Sequence, residues 1–164
     1  MDSKSFMKVE LWLTGKTIFP YLEEGMSLYE KRLSHYLPFQ SLILSEPKSV
    51  KNLPPDQLKQ KEGEQILAKL KPDDFIVLLD ERGKQLTSVE FSRFLEQKLQ
   101  LSHKRLVFLV GGAFGFSAEV YQRADYQLSL SKMTFSHQMV RLFFLEQIFR
   151  AMTILKGEPY HNEG

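Results

Sequence analysis

The residues able to do chemistry concentrate in the last third of this chain. Gly111, Gly112 and Gly115 follow the apolar run LVFLV at 106–110. Ser131, Lys132, Met133 and Thr134 follow a second short run that ends at Leu130. His137 and Arg141 stand four apart just beyond, and Tyr160 and His161 lie almost at the end. Glycines let a backbone approach a ligand closely or take positive φ. His137 and Arg141 share a face at the start of a helix, whose free N–H groups suit an anion such as an RNA phosphate. Each feature has a plainer alternative. A tight turn without ligand accounts for the glycines equally well. A nearby carboxylate accounts for His137 and Arg141 as well as a phosphate does. For Tyr160 and His161, behind Gly157 and Pro159, fraying is the better local reading, ahead of contact with an unpaired base.

Several chemistries lack their residues. The spacing G-G-x-x-G after a fourth strand is not the dinucleotide fingerprint, no acid closes the next strand to hold a ribose, and no Walker lysine follows. The chain has no cysteine, which excludes disulfides, thiolate metal ligands and a cysteine nucleophile. No H-x-x-x-H, paired-carboxylate or G-x-S-x-G arrangement occurs, so no metal site, glycosidase or serine hydrolase is expected. His35 and His103 have no partners at motif spacing and read as surface residues.

The elements that must position these residues alternate along the chain. Alternation in KVELWLT at 8–14 predicts a strand, closed by Gly15. Leu22, Met26, Tyr29, Leu33 and Tyr36 recur at helical spacing. Residues 40–44 form a second strand, ended by Pro47. Pro54 and Pro55 open a helix that runs to about Leu70, with Leu58, Ile66 and Leu67 turned inward. Its Gly63 predicts close packing of another backbone. FIVLL at 75–79 is a strand covered on both faces, ending in a polar turn at 80–84. Thr87 and Glu90 are spaced as a capping box for a helix ending near Gln100. Strands at 106–110 and 126–130 flank a short helix at 117–122, and the longest helix runs from about Phe135 to Leu155. Five strands separated by helices predict one α/β domain over 1–164 with a largely parallel sheet. Residues 1–6 read as an extension ahead of the first strand, with Met7 an alternative start.

The chain has 164 residues, 43% apolar, with 13 Phe. That length supports one real core. No apolar run approaches the roughly 20 residues that span a bilayer. No signal-peptide core is present at the N-terminus, and the composition is compatible with the cytoplasm. A net charge of +2 is low for a nucleic-acid binder, so any RNA contact must rest on a local patch, summed over two subunits if need be. The last helix is apolar almost all round and must be buried. Burial against a second subunit is the favoured reading, ahead of a central position within one monomer.

Six segments in order carry a family resemblance: KEGEQIL at 61–67, LLDERGK at 78–84, FLVGGAFG at 108–115, LSLSKMTFSHQMVR at 128–141, EQIFRA at 146–151 and GEPYH at 157–161. Together they resemble the RlmH family of SPOUT-class methyltransferases, from Met7 to His161. The resemblance implies a mostly parallel α/β fold with a C-terminal trefoil knot that holds S-adenosylmethionine. It implies methylation of N3 of a pseudouridine in helix 69 of 23S ribosomal RNA, on the assembled ribosome, by a cytoplasmic homodimer with no membrane or DNA partner. It assigns cofactor contact to Leu79, Gly111, Gly112, Gly115, Leu130, Ser131, Lys132, Met133, Thr134 and Phe135. His137, Arg141, Tyr160 and His161 match positions on the substrate side. His161 is a candidate proton acceptor by its chemistry, and His137 a weaker one. The family usually has proline where Ser136 stands, which predicts a looser turn there. The runner-up readings are a knotted tRNA methyltransferase and a non-catalytic ribosome-binding protein of the same fold.

Overall fold

The computed structural model describes residues 7–46, 52–101 and 105–163. His103, Pro47 and residues 1–6 lie outside them. Five parallel strands form one sheet: β1 (Lys8–Thr14), β2 (Phe39–Leu44), β3 (Asp74–Gln85), β4 (Arg105–Val110) and β5 (Tyr126–Ser129), in the order β2-β1-β4-β3-β5. The helices are α1 (Pro20–Leu33), α2 (Pro55–Lys69), α3 (Ser88–Leu99), α4 (Ala118–Arg123) and α5 (Met139–Leu155), followed by a 3-10 turn at Pro159–Glu163.

Strand periodicity divides the core into two layers. Leu106, Phe108 and Val110 of β4 point to the side of α1, α3 and α5, with Val9, Leu11, Leu13 and Val77. Val107 and Leu109 point the other way, with Trp12, Ile76 and Leu78, under α2 and α4. Of the polar positions of β1, Lys8 is exposed, whereas Glu10 and Thr14 are buried. Glu10 is buried and accepts from Trp12 Nε1 at 2.8 Å and Arg105 Nη1 at 3.3 Å. Arg105 also grips Asp74 through Nε at 2.8 Å and Nη2 at 2.6 Å. These bonds staple the amino ends of β1, β3 and β4 and leave the carboxyl ends for a site.

α5 is a central helix of its own layer, packed between α1 and α3, with Phe144, Leu145, Ile148, Phe149 and Met152 buried. One monomer therefore explains most of its apolar character, the reading that sequence alone placed second. The helix also begins at Met139, four residues later than expected. Ser136 accounts for the difference: its Oγ accepts from the Met139 N–H at 3.1 Å and its carbonyl from the Val140 N–H at 3.1 Å. The turn expected to be loose is tied by the serine itself.

β3 does not end in a turn at residue 80. Leu79 and Lys84 both pair with Leu128 of β5, so residues 80–83 bulge out between two registers of one strand. Gly83 makes that possible, because an added methyl would sit 2.6 Å from the Gln127 carbonyl carbon. Gly63 is tightly packed as expected, but against the Ser117 side chain at the start of α4 instead of a backbone.

Candidate functional site

In open parallel sheets, ligands sit beyond the carboxyl ends of the strands. Here the ends of β3, β4 and β5 enclose a cavity of about 450 Å³, within the roughly 300–1,000 Å³ usual for small-molecule sites. Its wall contains Leu79, Gly111, Gly112, Gly115, Leu130, Ser131, Met133, Thr134 and Phe135. Lys132 alone of the expected cradle is not in that wall, and it is exposed.

Local bonds hold the three segments in shape. After β4, Gly115 takes φ +86° and its N–H donates to the Gly112 carbonyl at 3.2 Å, closing a turn that a side chain at 115 would strain. After β5, Ser129 Oγ donates to the Ser131 carbonyl at 2.8 Å and Ser131 Oγ accepts from the Met133 N–H at 3.0 Å. Thr134 Oγ1 donates to Glu81 Oε2 at 2.6 Å, which ties this loop to the β3 bulge. Tyr121 of α4 donates to Asp80 from the far side, and burial together with that carboxylate pushes the Tyr121 phenol up. Asp80 and Glu81 stood in the sequence only as part of a polar turn, and Tyr121 went unnoticed, because the bulge that gathers them has no signature of its own. The cavity is apolar at Leu79, Val110, Leu128 and Leu130, with carboxylates and hydroxyls at its edge, a surface suited to an organic ligand with a polar tail.

His137 and Arg141 do not act as a pair on a face. Arg141 is fully buried. Its Nη2 donates to the Thr14 carbonyl at 2.7 Å, and Nη1 to the Gly15 carbonyl at 2.9 Å and to Thr17 Oγ1 at 3.0 Å. Burial lowers its pKa. The expectation that Arg141 presents its guanidinium to RNA is corrected: its donors fasten the end of β1 to the start of α5. His137 is half-buried, and its pKa is lowered by burial and by the Arg141 charge, against a smaller opposing pull from Glu46. It is therefore neutral near pH 7 and able to accept a proton.

The tail is docked, not frayed. Tyr160 donates to Glu146 Oε2 at 2.8 Å, lies 3.3 Å from the Tyr29 hydroxyl, and packs edge-on against Phe149. Burial and these two partners raise its pKa. Arg150 stands over the Tyr160 ring, pairs with Glu146 at 2.9 Å and meets His161 Nδ1 at 3.1 Å. Arginine only donates, so His161 Nδ1 accepts and its Nε2 carries the hydrogen in the neutral ring. In this arrangement His161 offers a donor to a substrate, not a base. Arg150 and Glu146 were missed in the sequence, although their i, i+4 spacing was visible. His35 is exposed, as read. No helix among the described residues is long and apolar enough to cross a membrane.

Comparison with known proteins adds an independent line. A family model described as a predicted SPOUT methyltransferase matches residues 7–161. The ribosomal RNA large subunit methyltransferase H of Parabacteroides distasonis is 55% identical over 157 residues, covering 96% of this chain and 100% of the relative. Its counterpart of the same name in Christiangramia forsetii is 53% identical, covering 95% and 99%. That of Cytophaga hutchinsonii is 52% identical, covering 95% and 100%.

Proposed function

The chain belongs to the RlmH family of SPOUT methyltransferases, and we propose that it methylates N3 of a pseudouridine in helix 69 of 23S ribosomal RNA, using S-adenosylmethionine, on the assembled cytoplasmic ribosome. One observation carries the reading: the dispersed residues assigned to the donor, Lys132 apart, converge on a single cavity at the strand ends. The relatives' names, each an rRNA large subunit methyltransferase, support the substrate class. On this reading the C-terminal strand-end segments carry the trefoil knot that the resemblance implies, within one domain over 1–164.

The cavity suits S-adenosylmethionine in size and in its mixture of apolar wall and polar edge. Leu79, Leu130 and Phe135 would hold the adenosyl part, and the Ser131–Thr134 hydroxyls its polar groups. When bound, the cofactor supplies a methyl group already activated by a sulfonium cation. The protein's remaining tasks are to align N3 with that methyl and to let the N3 proton leave, and alignment alone is worth much of such a barrier. Of the two histidines we assign the proton acceptor to His137, because the His161 Nδ1 is already taken by Arg150 while no hydrogen bond occupies the His137 ring nitrogens among the described residues. His161 and Arg150 present N–H donors beside Tyr160, suited to fix phosphate or base oxygens of the RNA.

Donor and substrate roles then fall on different elements, and a second subunit brings them together. Ile18, Phe19 and Tyr21 are exposed at the start of α1, and Phe143 on α5; Tyr21 OH lies 3.9 Å from Met139 Sδ, joining the two helix starts into one apolar face. We assign that face to the homodimer. Truncation after Glu158 tests the division: it should abolish methyl transfer while donor affinity by calorimetry stays within about twofold. Full activity of the truncated protein would remove the tail from the substrate site. Failure of the intact protein to bind donor would favour the non-catalytic alternative.

A further inference from the structure

Behind the glycine turn lies a group that the site has not used. Glu62, on α2, is 8% exposed and faces Gly112: a methyl added there would stand 2.9 Å from Glu62 Oε2 and 3.0 Å from Oε1. Among the described residues its carboxylate has no hydrogen bond or ion pair. The small space around it is lined by Thr14 at the end of β1, by Lys59 and Gly63 of α2, and by Ser117 at the start of α4. Lys59 turns instead to Asp56, at 3.6 Å. The other charged group bearing on it is Glu46, after β2, which repels it. Glu46 in turn lies beside Gly15 and bears on His137, next to the buried Arg141.

A carboxylate this largely buried, with no protein partner, is favoured in its charged form only by a positive charge nearby. Gly111, Gly112, Gly115 and Phe116 line both this space and the donor cavity, and on the side of Glu62 it is the Gly112 backbone that stands between the two. We propose that Glu62 is the buried counter-charge for the cationic methyl donor, acting across Gly112 as a positioning residue that favours the charged donor over its neutral demethylated product. The inference rests on the reading of the cavity as the donor site. Burial and Glu46 push the Glu62 carboxyl up to about 7 in the free protein. Near neutrality it is therefore half protonated, and donor binding drives the proton off. The product lacks the methyl group and the sulfonium charge, gives up that stabilisation and leaves more readily.

The sign follows from the linkage. The cation prefers the ionised carboxyl, and the ionised fraction rises with pH through about 7, so donor affinity rises with pH. If only the ionised form binds well, affinity gains up to about tenfold between pH 6 and 8. Product affinity should change little, since the two ligands share their adenosyl and amino-acid parts.

The test is calorimetry of S-adenosylmethionine and S-adenosylhomocysteine on the full chain at pH 6, 7 and 8, in buffers of different ionisation enthalpy. Expected for the wild type are a donor affinity that rises with pH, proton release on donor binding at pH 7, and neither effect with product. Glu62→Gln should bind product normally and lose the pH dependence and proton release for donor. Glu46→Gln removes the repelling charge, so it should shift the midpoint to lower pH; it serves as the deciding variant if Glu62→Gln fails to fold. Donor pH dependence unchanged in these variants, or equal pH dependence for product, would overturn the role of Glu62. Absence of binding by either ligand at every pH would instead refute the donor-site reading beneath it.

Discussion

Replacing Arg141 by methionine separates a structural arginine from an RNA-binding one. The side chain is fully buried, and three of its donor bonds reach Thr14, Gly15 and Thr17, more than 120 residues earlier in the chain. Methionine keeps much of the packing volume but supplies no donor. Each of the three acceptors is left unmatched at a cost of roughly 1–3 kcal/mol, so the expected loss is about 3–9 kcal/mol, less whatever water recovers. Against a stability of about 5–15 kcal/mol for a typical domain, that is a large fraction. Urea unfolding followed by circular dichroism should show a much lower midpoint with an unchanged slope. Arg141→Lys should recover only part of the loss, because one ammonium cannot reach acceptors spread around a planar fork. A loss under about 1 kcal/mol, accompanied by weaker and less salt-dependent RNA binding, would refute the structural role and restore Arg141 to the RNA face.

Other consequences follow from the same geometry. Arg105→Gln leaves the buried Asp74 without its ion-pair partner and Glu10 with only the Lys8 cation, at 3.6 Å, and should cost roughly 3–5 kcal/mol in urea unfolding at pH 7. Burial alone would raise the Asp74 carboxyl, but the Arg105 bonds outweigh it and hold it below the usual range. Its contribution is therefore present above the unfolded pKa and lost as pH falls through the folded one, so the cost of Arg105→Gln should shrink as the pH is taken below the ordinary carboxylate range. Thr87→Ala breaks a capping box in which Thr87 Oγ1 accepts from the Glu90 N–H at 3.1 Å, and should lower stability by about 1 kcal/mol. Gly83→Ala drives a methyl into the backbone of β5 and should part the β3 bulge from residue 128; calorimetry should show donor binding weakened at least tenfold, and normal binding would count against the bulge as part of the site.

Much of the fold was legible because local signals agreed with the tertiary outcome. The apolar runs at 75–79 and 106–110 are buried on both faces of the sheet, and the Thr87–Glu90 box is formed as spaced. What escaped depended on partners distant in sequence. The extension of β3 through DERGK exists only because β5 supplies a second register beyond the bulge. The alternation in β1 marked a strand but not the burial of Glu10, since nothing near it announced Arg105, which sits 95 residues away. α5 suggested a subunit interface because its apolar excess was visible while the flanking α1 and α3 were not. The site divides in the same way. The glycines and the Ser/Lys/Thr loop could be placed at strand ends from sequence alone. The use of Arg141 as a clasp, the docking of Tyr160 on Glu146 and the facing of Glu62 onto Gly112 required the chain to be folded.

The central claim is that this protein transfers a methyl group to one nucleoside of the large ribosomal subunit. Its most direct test offers isotopically labelled S-adenosylmethionine and the intact protein to assembled ribosomes from a strain lacking the modification, with free 23S RNA and tRNA in parallel. Nuclease mapping and nucleoside mass spectrometry then locate the label. The account predicts one 3-methylpseudouridine per ribosome, within helix 69, and little label in free 23S RNA, because a weakly charged protein must read a shaped ribosomal site. Label in tRNA, at another position of 23S RNA, or nowhere despite measured donor binding would contradict it.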